Sequence, residues 1–170
     1  MNEITVYIGL GSNLQNPVGQ IKQAILALSK LPQTTLVKTS SLYTSDSLLA
    51  GQPRYTNAIV SISSQLAAET LLDLLQQIEH NQGRQRTQHW GARTLDLDII
   101  LYGNQQINTP RLTVPHSQME QRSFVLIPLA EIAPDLILPN GRTITSLLAH
   151  CPSLNLRKLT ESATTLLEPN

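Results

Sequence analysis

Leu95-Asp96-Leu97-Asp98-Ile99-Ile100-Leu101-Tyr102 decides the fold. Apolar and acidic residues alternate at its start, the period of a strand with one buried and one wet face. Leu95, Leu97, Ile99 and Leu101 are expected on one side, Asp96 and Asp98 on the other. Gly103-Asn104 closes the strand as a turn. Upstream, residues 84–92 have no period and read as a loop. Asn81-Gln82-Gly83 ends a helix over 67–82, with Gly83 as its left-handed cap and Leu71, Leu74, Leu75 and Ile78 on one face. Residues 55–64 read as a strand, 44–54 as a loop with Gly51 and Pro53, and 36–43 as another strand. Asn16-Pro17 is an N-cap followed by Pro at the first helical position. Ile21, Ala24, Ile25 and Leu28 then carry a helix to about Lys30. The first strand covers 4–10 and ends at Gly11-Ser12-Asn13. The order is therefore βαββαβ, a ferredoxin-like split βαβ. Downstream come a short hairpin over 107–114, a helix over 124–132, a short strand over 136–138 and a helix over 144–150. Helices on both sheet faces give an α+β, three-layer αβα sandwich. Nothing is assigned beyond Cys151.

At 170 residues with 41% hydrophobic and 14% charged side chains, the chain fits one folded domain, residues 1–170. Twelve basic and twelve acidic residues cancel, which argues against nucleic acid or an anionic membrane surface as a partner. One cysteine permits no intrachain disulfide, and no apolar run suits a signal peptide or membrane span. The expectation is a soluble cytoplasmic protein.

The chemistry concentrates between residues 84 and 98. Along a strand, Asp96 and Asp98 stand about 6.6 Å apart on one face. Such a pair suits hard divalent cations, and magnesium fits an all-oxygen site completed by a nucleotide. A bare Asp-x-Asp is more often just the wet face of an amphipathic strand. Its neighbours change that balance: Arg84, Arg86, His89 and Arg93 crowd into the loop feeding the strand. Arginines grip phosphate oxygens in pairs of hydrogen bonds. Trp90, the one tryptophan, lies in the same polar loop, where it suits a flat ligand ring as well as its own domain. Phe124, the one phenylalanine, opens a helix, where a core role is the default. Gly9-Leu10-Gly11-Ser12-Asn13 lacks the third glycine of a dinucleotide loop, and Gly-Lys-Ser/Thr occurs nowhere. ATP, if bound, is held by metal and arginines.

His89-Trp90-Gly91-Ala92-Arg93-Thr94-Leu95-Asp96-Leu97-Asp98-Ile99-Ile100 resembles the signature of the hydroxymethyldihydropterin pyrophosphokinases of folate biosynthesis, matching it at every position. Further resemblance lies in Tyr7-Ile8-Gly9-Leu10-Gly11-Ser12-Asn13-Leu14, Gln52-Pro53-Arg54-Tyr55-Thr56-Asn57, Ile78-Glu79 with Gln82-Gly83-Arg84, and Arg111-Leu112-Thr113-Val114-Pro115-His116. It covers about residues 4–148. The resemblance implies transfer of the β,γ-diphosphoryl group of ATP to 6-hydroxymethyl-7,8-dihydropterin with release of AMP, usually by a monomer. It implies that Asp96 and Asp98 bind two Mg²⁺ ions bridging the triphosphate. Tyr55 and Phe124 would sandwich the pterin, Asn57 would bond its edge with backbone help at Ser45 and Leu48, and Trp90 would close over both substrates. Arg84 and Arg93 would stabilise the transferring group. Gln76, Glu79, Arg86, Ile99, Arg111, Thr113, His116, Ser117 and Arg122 would line the nucleotide. Two departures stand out. Ser45-Asp46-Ser47 replaces a frequent Pro-Pro pair in a loop one residue short, and Ser117 stands where tyrosine is common.

Two other readings remain open at this point. One is a metal-dependent phosphohydrolase or nuclease using Asp96, Asp98 and His116. The other is a non-catalytic ferredoxin-like module. An RNA-binding version of it should show aromatic strands and excess positive charge. The chain has 4% aromatics and no net charge.

Overall fold

The first strand, β1 (Ile4–Ser12), is an inner strand of the sheet, paired along both edges. The computed structural model describes residues 3–13, 16–45, 54–83, 95–151 and 156–159. Around β1 come α1 (Pro17–Ser29), β2 (Thr34–Thr39), β3 (Tyr43–Ser45), β4 (Tyr55–Ser64), α2 (Ala68–Asn81) and β5 (Asp96–Tyr102). The sheet order is β5-β1-β4-β3, with β2 also on β4, and every pairing is antiparallel. This is the strand order of a ferredoxin-like fold. After β5 follow the hairpin β6 (Ile107–Asn108) and β7 (Thr113–Val114), a 3₁₀ turn at Met119–Gln121, α3 (Ser123–Ile132), α4 (Ile144–Leu148) and β8 (Arg157–Lys158).

Two apolar cores flank the sheet. Ile21, Ala24, Ile25 and Leu28 of α1 and Leu71, Leu75 and Ile78 of α2 pack with Val6, Ile8, Leu10, Val60, Ile62, Leu97 and Ile99. On the other face, Val125, Leu126, Leu129 and Ile132 of α3 and Ile144 and Leu147 of α4 pack with Ile59, Ile100 and Leu101. The αβα layering follows from these two burials. Among the described residues no helix is long and apolar enough to cross a membrane.

Local chemistry explains most boundaries. Asn16 takes a left-handed conformation and its side chain accepts from Gly19 N–H, so α1 starts at Pro17. Gly83, at φ 91°, follows α2 in the conformation that glycine adopts without strain. The first strand runs two residues past the expected Leu10, because Gly11 and Ser12 continue the ladder opposite Asn57 and Thr56.

Four expectations are corrected. The strand expected over 36–43 is two strands. Ser40 donates its N–H to Ile59 O at 2.9 Å while its hydroxyl accepts Ile59 N–H at 2.9 Å, so a side chain replaces a ladder partner and regular pairing stops. Leu101 does not share a face with Leu97 and Ile99. Tyr7 pairs with Leu101 but Ile8 with Ile99, and the extra residue reverses the alternation. The expected strand over 136–138 is one bridge between Ile137 and Thr143. The last helix stops at Leu148, with turns over 149–150. Beyond Cys151, where no element was expected, β8 adds to the sheet edge, Tyr43 opposite Lys158 and Thr44 opposite Arg157.

Gly9 serves the second core. A β-carbon there would stand 3.1 Å from Ile100 Cδ1 and 3.6 Å from Ile59 Cδ1. Overpacking of this kind costs about 1–3 kcal/mol. Gly9→Ala should therefore lower the urea midpoint without changing the m-value. An unchanged midpoint would show that Ile100 yields freely.

Candidate active site

Sheet register brings the candidate residues onto one face. Asp96 lies opposite Gly11, Gly11 opposite Asn57, and Asn57 opposite Tyr43. One step along, Asp98 lies opposite Gly9 and Gly9 opposite Ile59, while Tyr55 lies opposite Ser45. Directly paired residues point to the same side of a sheet. Asp96, Asp98, Asn57, Tyr55 and Ser45 therefore share the face that α3 covers further along. Between Asp96 and Asn57 the middle strand contributes only Gly11, and between Asp98 and Ile59 only Gly9. A bare trough results, spanning two strand spacings of about 4.8 Å each.

Each wall is held by specific bonds. Asn57, 4% exposed, donates through Nδ2 to Ser45 Oγ at 2.9 Å. Its carbonyl oxygen thereby lies on the Gly11 side, as an acceptor. Ser45 thus contributes a buried hydroxyl in addition to the backbone expected from it. Asp98 is exposed and Asp96 half-buried. The strand carrying both is fastened from below: Glu79 on α2, 5% exposed, accepts Leu97 N–H through Oε2 at 2.7 Å. Phe124 sits half-buried at the start of α3, its ring under the Arg122 guanidinium at 5.4 Å. Arg122 also donates to Gln118.

The residues expected around a nucleotide are more dispersed. Gln76 is exposed on α2. Ile99 buries its side chain in the first core, which leaves its main chain for any ligand contact. Arg111 is exposed and bonded to Asp73. Thr113 and Ser117 are exposed. His116 anchors its backbone N–H on Ile100 O at 3.0 Å, and its Nδ1 accepts Gln118 N–H at 3.3 Å. Leu48, Arg84, Arg86, Trp90 and Arg93 lie outside the described residues.

One supporting group was not expected. Glu131 of α3 accepts from Tyr43 Oη at 2.6 Å, Ser41 Oγ at 2.8 Å and Ser41 N–H at 3.0 Å. Burial disfavours its ionised form, but the Tyr43 and Ser41 hydrogen bonds and the Lys158 charge outweigh this and hold its pKa below the usual value. Burial and the same carboxylate push the Tyr43 phenol up. The clip joins α3, which carries Phe124, to β3, which carries Ser45. No local pattern relates residue 131 to residues 90 positions earlier.

The donor set fits hard cations in part. Among the described residues no group of three or more His, Cys, Asp or Glu could hold a metal by itself. Two carboxylates on one strand face can bind Mg²⁺ only if a ligand completes its oxygen shell, as a triphosphate does.

The family described as 7,8-dihydro-6-hydroxymethylpterin-pyrophosphokinase matches residues 7–134. A Pseudomonas aeruginosa protein named 2-amino-4-hydroxy-6-hydroxymethyldihydropteridine pyrophosphokinase is 52% identical over 155 residues, 91% of this chain and 96% of that one. A Haemophilus influenzae protein of the same name is 54% identical over 145 residues, 85% of this chain and 91% of that one. In structure, the chain superposes on a crystal structure of HPPK-DHPS in complex with substrates, with a TM-score of 0.71, 12% identity and 88% of this chain covered. It spans only 43% of that longer chain, so this likeness speaks to the fold alone. The family match covers most of the chain and the two relatives are each aligned over nearly their whole length: the chain belongs to the 7,8-dihydro-6-hydroxymethylpterin-pyrophosphokinase family.

Proposed function

We propose that the protein transfers the β,γ-diphosphoryl group of ATP to the hydroxymethyl oxygen of 6-hydroxymethyl-7,8-dihydropterin, releasing AMP, in folate biosynthesis. The observation that carries this reading is the trough. Acidic Asp96 and Asp98 form one bank, Asn57 and Tyr55 form the other, and bare glycine backbone lies between. A flat heterocycle against Tyr55 and Asn57 can extend its side-chain hydroxyl across Gly11 toward the carboxylates.

Each group then has a task. Tyr55 and Phe124 supply apolar faces for the ring, and Asn57 Oδ1 accepts a hydrogen bond from its edge. Asp96 and Asp98 would hold two Mg²⁺ ions, which would neutralise the triphosphate and polarise the transferring phosphorus. Asp96, the less exposed of the two and opposite Gly11, orients the attacking hydroxyl. Transfer of this kind needs in-line placement and charge neutralisation more than a strong base. Arg84 and Arg93 meet the charge on the moving group, and Trp90 and the Leu48 backbone complete the pterin pocket. Gln76, Glu79, Arg86, Ile99, Arg111, Thr113, His116, Ser117 and Arg122 border the nucleotide, Glu79 chiefly by holding β5. The protein acts as a cytoplasmic monomer of one domain.

A coupled assay for AMP tests this reading. AMP should form only when ATP, Mg²⁺ and the reduced pterin alcohol are all present. AMP or phosphate release at the same rate without the pterin would instead indicate a hydrolase.

A further inference from the structure

We infer that Gly11 is a specificity-determining residue of the pterin site: its missing side chain keeps the Asn57 carbonyl oxygen open to the ligand. The inference rests on the proposed reaction and adds to it a residue that contacts the substrate only through bare backbone. Nothing in the backbone demands glycine here. Positive φ occurs at Gly83, Gly103 and Gly141, and Gly11 is not among them. It is an ordinary strand position, paired with Asp96 on one side and Asn57 on the other. Glycine weakens a strand interior, and alanine at a compatible φ usually stabilises by restricting the unfolded chain. Its presence therefore asks for another reason.

The reason lies in what a β-carbon would meet. It would stand 3.3 Å from Asn57 Oδ1 and 3.8 Å from Tyr55 Cδ1, closer to the amide oxygen than side chains ordinarily come. The oxygen has little freedom to retreat. Asn57 is buried, and its Nδ2 is tied to Ser45 Oγ at 2.9 Å. Rotating the amide away breaks that bond and leaves polar atoms buried without a partner. A methyl group at position 11 would cap the acceptor and raise the trough floor where the substrate crosses toward Asp96. Gly9, two residues back, differs: its β-carbon would press on the Ile100 and Ile59 side chains of the second core.

The test compares Gly11→Ala with the unaltered full chain by calorimetric titration of the pterin alcohol and, separately, of Mg²⁺ with a non-hydrolysable ATP analogue. Pterin affinity should fall about tenfold, the scale of one displaced hydrogen bond, with nucleotide affinity changed less than about twofold. The melting temperature should hold or rise. In an Asn57→Ala background the same substitution should cost less than about threefold, because the oxygen it obstructs is gone. Unchanged pterin affinity in Gly11→Ala overturns the inference. So does an equal loss of both ligands with a lowered melting temperature, which makes the position structural, and so does strict additivity with Asn57→Ala. Should the unaltered protein bind no pterin alcohol at all, the proposed reaction itself fails, which the first titration separates from any failure at Gly11.

Discussion

Asp98→Asn should yield a folded protein that has lost at least about a hundredfold of its diphosphoryl transfer, the scale of removing one preorganised electrostatic contact. Asp98 is exposed, so its replacement by an isosteric amide leaves both cores intact. An amide oxygen carries no formal charge and is a poorer partner than a carboxylate for Mg²⁺. The deficit should lie in kcat, with the melting curve superimposed on that of the unaltered protein. Turnover within about threefold of normal would remove Asp98 from the metal site, since that is far below the loss of one such contact.

Tyr55→Ala should weaken pterin binding by about 1–3 kcal/mol, the scale of one aromatic stacking contact with a heterocyclic base. Tyr55 lies beside Asn57 on the wall away from the carboxylates, so the affinity for Mg-ATP should barely move. Tyr55 is half-buried at the start of β4, so the melting temperature is measured alongside and should change little. Equal loss of both ligands would point to a wrong pocket or a collapsed strand.

The regular elements were legible because their signals are local. Residues 55–64 form the strand that their composition indicates, and α2 lies within one residue of its expected ends. Asn16-Pro17 and Gly83 marked their helix ends because capping depends on a few neighbouring atoms. What escaped notice depends on distant partners. Ser40 breaks a strand only through its bonds to Ile59, and the bulge at Ile100 exists only relative to Tyr7 and Ile8. The two-residue β8 has too little length for a period and gains its pairing from Tyr43 and Thr44. The same division holds at the candidate site. Asp96 and Asp98 announce themselves by alternation and by the resemblance around them. The trough does not, because Gly9 reads as an ordinary strand position and Gly11 as the turn that ends the strand until their partners across the sheet are known. Glu131 carries no signal in its own segment.

The central claim is that both outer phosphorus atoms of ATP move together to the pterin hydroxyl, and the fate of label tests it most directly. ATP labelled with ³²P at the β or the γ position is turned over with Mg²⁺ and the reduced pterin alcohol, and the products are separated. The account predicts that either label appears in the pterin diphosphate in equal yield, with unlabelled AMP as the other product. Label found in free phosphate or free pyrophosphate, or γ label alone on the pterin, would contradict it.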